Sequence, residues 1–141
     1  MNLRVFFLLI LVIFCTISCR DWNEPQSAIS KIEKEIALTL PANSRVDHFK
    51  ASGYQSIEPW WIAKVVLPAE SYESFSETLL AKPTENSTIG GNRISDSTDW
   101  WKPVNVILTK LYWADSHTLV EVTVSKDDDK EVSVYIDCIV P

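Results

Sequence analysis

Thr118-Leu119-Val120-Glu121-Val122-Thr123-Val124 and, one turn later, Val132-Ser133-Val134-Tyr135-Ile136-Asp137-Cys138-Ile139-Val140 carry the clearest pattern in this 141-residue chain. Val120, Val122 and Val124 alternate with Glu121 and Thr123, and Val132, Val134, Ile136, Cys138 and Val140 alternate with Ser133, Tyr135, Asp137 and Ile139. A two-residue period sends one set of side chains to one face of a strand. Val104 to Ala114 is a third run of this kind, separated from the others by turns at Asp115-Ser116 and at Lys126 to Lys130. Short turns imply antiparallel neighbours, so the chain ends in a three-stranded meander.

Working upstream, Trp60 to Leu67 is a further strand, with Trp61, Ala63, Val65 and Leu67 on one side and Trp60, Ile62, Lys64 and Val66 on the other. Arg45 to Gly53 reads as a weaker one. Ile29, Ile32, Ile36 and Leu40 recur at helical spacing over Ser27 to Leu40, with Ser27 or Ser30 as cap and Pro41 as terminator. Pro68 opens a second helix whose apolar face is Tyr72, Phe75, Leu79 and Leu80, stopping before Pro83. Lys82 to Thr98 is polar and long for a loop. The element order is αββαβββ, and the expected fold is an α+β two-layer domain over residues 27–141. An antiparallel sheet of about five strands carries two helices on one face.

The start of the chain is of another kind. Arg4 precedes the apolar run Val5 to Ile17, which closes on Ser18-Cys19-Arg20. A basic flank, a short apolar core and a small residue before the cut form a secretory signal, here residues 1–18. A membrane-spanning helix needs about 20 apolar residues, more than this run holds. A cysteine directly after the small residue resembles the lipobox of bacterial lipoproteins, although Thr16 stands where those usually have leucine. On that reading Cys19 is the acylated first residue, residues 19–26 are the tether, and the protein is held to a membrane. Arg20 at the next position resembles the sorting pattern that sends lipoproteins to the outer membrane, facing the periplasm. Cys138 falls on the apolar face of the last strand, so it is expected as a buried free thiol with no disulfide to Cys19.

Removing the signal takes away Arg4 and no acid, leaving 12 Lys and Arg against 19 Asp and Glu, a formal charge of −7. An acidic surface argues against nucleic acid as a partner. No metal or other cofactor is expected. His48 and His117 are far apart with no ligand at metal spacing, and Asp127-Asp128-Asp129 lacks the alternation and glycine of a calcium loop. That acidic triplet reads as a solvated turn. Nucleophilic catalysis has no support either: there is no G-x-S-x-G elbow, and no reacting group has an evident partner.

Six tryptophans remain to be explained, four of them as Trp60-Trp61 and Trp100-Trp101. Adjacent residues on a strand point to opposite faces, so one ring of each pair is core and the other half exposed or covered by the long loop. Pro103 is expected to keep Trp100-Trp101 extended. Plugging the open end of a small sheet is the plainer role for these rings. The functional alternative is a partner-binding patch of Trp100, Trp101 and Trp60.

Leu40-Pro41 followed by Ser44-Arg45-Val46, the strand end Leu67-Pro68, and Trp100-Trp101-Lys102-Pro103 together resemble marks of a group of small, uncharacterised bacterial lipoproteins. The resemblance implies a location and a shape, and no functional residue beyond Cys19. The expected role is a non-enzymatic envelope lipoprotein, a binding or accessory module with a protein partner in the envelope. The second reading is an immunity or inhibitor protein against a basic toxin or a lysozyme-like hydrolase.

Overall fold

Both expected helices and all five expected strands form in the computed structural model, which describes residues 25–52, 59–86, 98–126 and 128–140. The signal segment 1–18, Cys19, the turn at Gly53, most of the Lys82–Thr98 loop and Asp127 lie outside the described residues. Helix α1 is Pro25–Ile36 and α2 is Tyr72–Leu80, the latter entered through a 3-10 turn at Ala69–Ser71. The strands are β1 Arg45–Ala51, β2 Trp60–Pro68, β3 Val106–Trp113, β4 Leu119–Ser125 and β5 Glu131–Ile139.

The sheet is antiparallel throughout, in the order β1-β2-β5-β4-β3. The C-terminal meander is as expected. The pairing of β2 with β5, in register from Trp60 opposite Ile139 to Pro68 opposite Glu131, joins that meander to the β1–β2 hairpin. β2 and β5 are buried on both faces over most of their length, as strands inside a sheet are. Helix α2 lies between β2 and the far edge strand β3 in the chain, so β2 and β3 are neighbours in sequence order and not in space.

One face carries the core. Ile32 and Ile36 of α1 and Phe75 and Leu79 of α2 pack with Trp61, Ala63, Val65 and Leu67 of β2. Tyr112, Val120, Val122, Val124, Val132, Val134, Ile136 and Cys138 complete the cluster. Burying a side chain of this size contributes roughly 1.5–3 kcal/mol. This shared cluster is what fixes both helices on the same side of the sheet.

Two helix boundaries differ from expectation. Helix α1 ends at Ile36, and Ala37 turns left-handed with φ of 51°. Leu38 N–H then donates to Glu33 O at 3.2 Å, and Leu40 N–H to the Glu33 carboxylate at 2.8 Å. Leu38 and Leu40 remain buried. Their spacing therefore mimics a longer helix although the chain has already left it. Pro68 closes β2 with ψ of 136°, before the 3-10 turn. Leu80, assigned to the apolar face of α2, is instead 55% exposed.

Candidate functional site

The opposite face of the sheet is where the sequence placed its candidates. On β1, β2 and β5 that face presents His48, Trp60, Ile62, Lys64, Val66, Ser133, Tyr135, Asp137 and Ile139. Ile62, Val66, Tyr135, Asp137 and Ile139 are all buried, Tyr135 to 2% exposure. The segment Trp100–Pro103 lies against it. Trp100 stacks on His48 with ring centroids 4.9 Å apart, and Trp101 meets Tyr135 edge-on at 5.3 Å. The two indoles contact each other at 5.7 Å and 62°. Tyr135 Oη donates to Lys102 O at 3.4 Å, and Lys64 Nζ sits 5.7 Å from the Tyr135 ring centre. Asp47 joins the group, 3.2 Å from His48 Nδ1 and 3.4 Å from Lys64 Nζ.

Trp100-Trp101 is thus not an extended pair with rings on opposite faces. Trp101 N–H donates to Thr98 O and Lys102 N–H to Trp100 O, both at 3.1 Å, which bends the chain before Pro103. Both indoles end on the same side of the sheet, half-buried. Trp60 and Trp61 do divide as expected. Trp61 is buried in the core, stacked with Phe49 at 5.7 Å, while Trp60 is half-buried on the outer face. The structure therefore brings Trp100 and Trp101 together with His48 and Tyr135.

The exposed apolar surface lies beyond β4, at the edge strand β3, which the sequence did not single out. Among the described residues the exposed large hydrophobic side chains are Leu80, Val104 at 55%, Val106, Ile107 at 44% and Trp113 at 42%. All but Leu80 belong to edge strand β3 or the two residues before it. Ile107, Thr109, Leu111 and Trp113 form a stripe on the outer face, while Lys110 and Tyr112 turn inward and are buried. Lys110 Nζ donates to Thr84 Oγ1 at 2.6 Å beneath the sheet. Trp113 Nε1 donates to a Glu85 carboxylate oxygen at 2.8 Å, so one side of this ring is held by an acid. Beside the stripe, Glu121 of β4 stands opposite Leu111 on one side and Asp137 of β5 on the other. Burial raises the Glu121 carboxyl above the ordinary carboxylate range.

This stripe left a trace in the sequence. Ile107, Leu111 and Trp113 alternate with Leu108, Lys110 and Tyr112, so β3 is largely apolar on both sides. Such a strand belongs in the middle of a sheet or leaves one face uncovered. Which of these holds depends on strand order, and strand order is not written in a local pattern.

Other candidates resolve simply. Cys138 is a buried free cysteine whose thiol is pushed by burial from 9.0 up to about 12, so it is an inert part of the core. Asp128 accepts the backbone N–H groups of Lys130 and Glu131 at 2.7 and 2.8 Å, the work of a turn residue. Among the described residues no three His, Cys, Asp or Glu side chains gather to hold a metal. Open clefts of about 380 and 290 Å3 flank Leu40-Pro41, and no histidine, cysteine, lysine or arginine lines either.

No family model, no curated protein and no solved structure matches the chain.

Proposed function

We propose that this chain is a non-enzymatic binding module of the bacterial cell envelope. Residues 1–18 are removed, Cys19 carries lipid, and the domain grips a protein partner with the outer face of β3. The observation that supports this most is the stripe Ile107–Leu111–Trp113, continued by Val104 and Val106. Contiguous exposed apolar surface on a small protein marks an interaction site, and tryptophan is a preferred anchor. The Trp100-Trp101 turn runs into Val104, and both indoles lie on the same outer face of the sheet as the stripe. The acidic balance of the chain supports the narrower second reading, an inhibitor or immunity protein for a basic target.

Two measurements on the full-length chain in its bacterial host test the proposal. For the anchor, Cys19→Ser is expected to block processing and release the protein from membranes; a mutant that is still cleaved and still membrane-bound rules out the lipid. Several acyl chains, at about 0.8 kcal/mol per buried CH2, account for stable attachment where one chain is marginal. For the surface, a photo-crosslinking amino acid at Ile107 or Trp113 is expected to trap an envelope protein. The same probe at exposed Glu73 on α2 is expected to trap none. Equal trapping at both places, or none at either, overturns the docking surface.

A further inference from the structure

Resting on that docking surface, we infer that its partner is a basic protein face, whose apolar side chains cover Ile107, Leu111 and Trp113 while a lysine or arginine reaches Glu121. The cross-strand register puts the Glu121 carboxylate on the same face as the stripe, directly opposite Leu111 and diagonal to both Thr109 and Trp113, two residues to either side. Its other neighbour is Asp137, a second carboxylic acid and 4% exposed. Arg45 is paired with Glu131, Lys64 and His48 with Asp47, and Lys126 with Asp129, so none of these cations serves Glu121. Lys110, on the strand beside it, points through to the other face.

Any molecule that covers the stripe must take water away from Glu121. A wholly apolar cover would strand a carboxylate, and buried charge without a partner is strongly unfavourable. A second copy of this chain, once processed, would bring its own Glu121 and a formal charge of −7 against the same surface. Like-charge contacts of that kind disfavour the wrong partner. A guanidinium or ammonium group among apolar side chains satisfies both demands at once. The existing partial burial of Glu121 already disfavours its charge, and an arriving cation would offset that. Arginine fits best, since it is weakly hydrated and pairs with carboxylates through two parallel N–H groups.

The test uses full-length protein in its native membranes, with the photo-crosslinking residue at Ile107 and Glu121 as wild type, Glu121→Gln or Glu121→Lys. The adduct is expected to fall about tenfold with Glu121→Gln, the loss of one charge-assisted contact, and to vanish with Glu121→Lys. It is also expected to weaken as salt rises, and to map on the partner to a segment holding lysine or arginine. Glu121 is half-buried and makes no hydrogen bond among the described residues, so the glutamine variant keeps its fold, as a thermal melt will confirm. An adduct of undiminished yield in both variants keeps the docking surface and overturns the basic partner. An adduct of twice the chain mass overturns it in favour of self-association. No adduct in any background removes the docking surface itself, and this inference with it.

Discussion

The hydroxyl of Tyr112 donates a 2.8 Å hydrogen bond to the carbonyl oxygen of Ile36, tying edge strand β3 to the last residue of α1 across 76 positions of sequence. That carbonyl is one of the four a helix leaves without an internal donor at its end. Lys82 completes the arrangement, its ammonium donating to the next carbonyl, Ala37, and lying 5.8 Å from the Tyr112 ring centre. The helix layer is therefore fastened to the far edge of the sheet by polar contacts as well as by packing. Tyr112→Phe removes only the donor and leaves Ile36 O buried without it. The expected cost is about 1–2 kcal/mol in denaturant unfolding. Unchanged stability would mean that water replaces the hydroxyl and that the bond contributes little.

Trp61 offers the opposite case. Its ring is buried against Phe49, yet among the described residues no acceptor meets its Nε1–H. A stranded donor costs roughly 1–3 kcal/mol, close to what the larger ring gains over phenylalanine by burial. Trp61→Phe is therefore expected to shift stability by less than about 1 kcal/mol, and Trp61→Ala to lower it by about 3–5 kcal/mol. Equal losses for the two variants would show that the N–H is satisfied in solution.

Cys138 sets an alkaline limit. Its folded-state pKa lies near 12 against an ordinary 9.0, with burial as the main cause, so the folded state resists losing this proton. Stability from this group is full below pH 9.0 and is lost as pH rises toward 12. Tyr112, also raised by burial, acts in the same direction at higher pH. Tryptophan fluorescence is expected to report unfolding that begins above pH 9 and starts later in Cys138→Val. Identical onsets in the two proteins would assign the transition to Tyr112 alone. A disulfide-exchange reagent should label Cys138 only after denaturation.

Trp100 and Trp101 separate packing from recognition. Trp101 shields Tyr135, so Trp101→Ala is expected to lower stability by roughly 1–3 kcal/mol, part of the cost of a fully buried ring. Trp100 rests on half-exposed His48, and Trp100→Ala is expected to cost about 1 kcal/mol or less. Thermal melts of both variants, beside crosslinking from Ile107, decide between the two roles. If both melt far below wild type, the pair is core and has no part in binding. If neither does, the turn is as loosely held as a recognition loop.

How far the sequence reaches depends on the range of the contacts involved. Alternation in 118–124 and 132–140 gave the last two strands to within a residue, because a half-buried strand has a local period of two. Spacing overran at Leu40, where a buried leucine outside α1 continued the helical stripe by coincidence of position. It also misplaced Leu80: one residue past Leu79 lies about 100° around the helix, which turns it from the core to solvent. For the candidate site, Trp100 and Trp101 were recognisable as unusual by composition. The turn that lays both rings on one face depends on backbone hydrogen bonds that no pattern encodes.

By itself the sequence determined the α+β class, the element order, the buried position of Cys138 and the acidic balance of the surface. Each follows from side-chain chemistry repeated over a few residues. Only the tertiary structure decided that β5 pairs with β2 and leaves β3 at the edge. That choice turns an apolar strand side into an exposed stripe and sets Glu121 beside it. The reason is physical: a strand's own residues fix which side chains share a face, while what covers that face depends on partners far away in the chain.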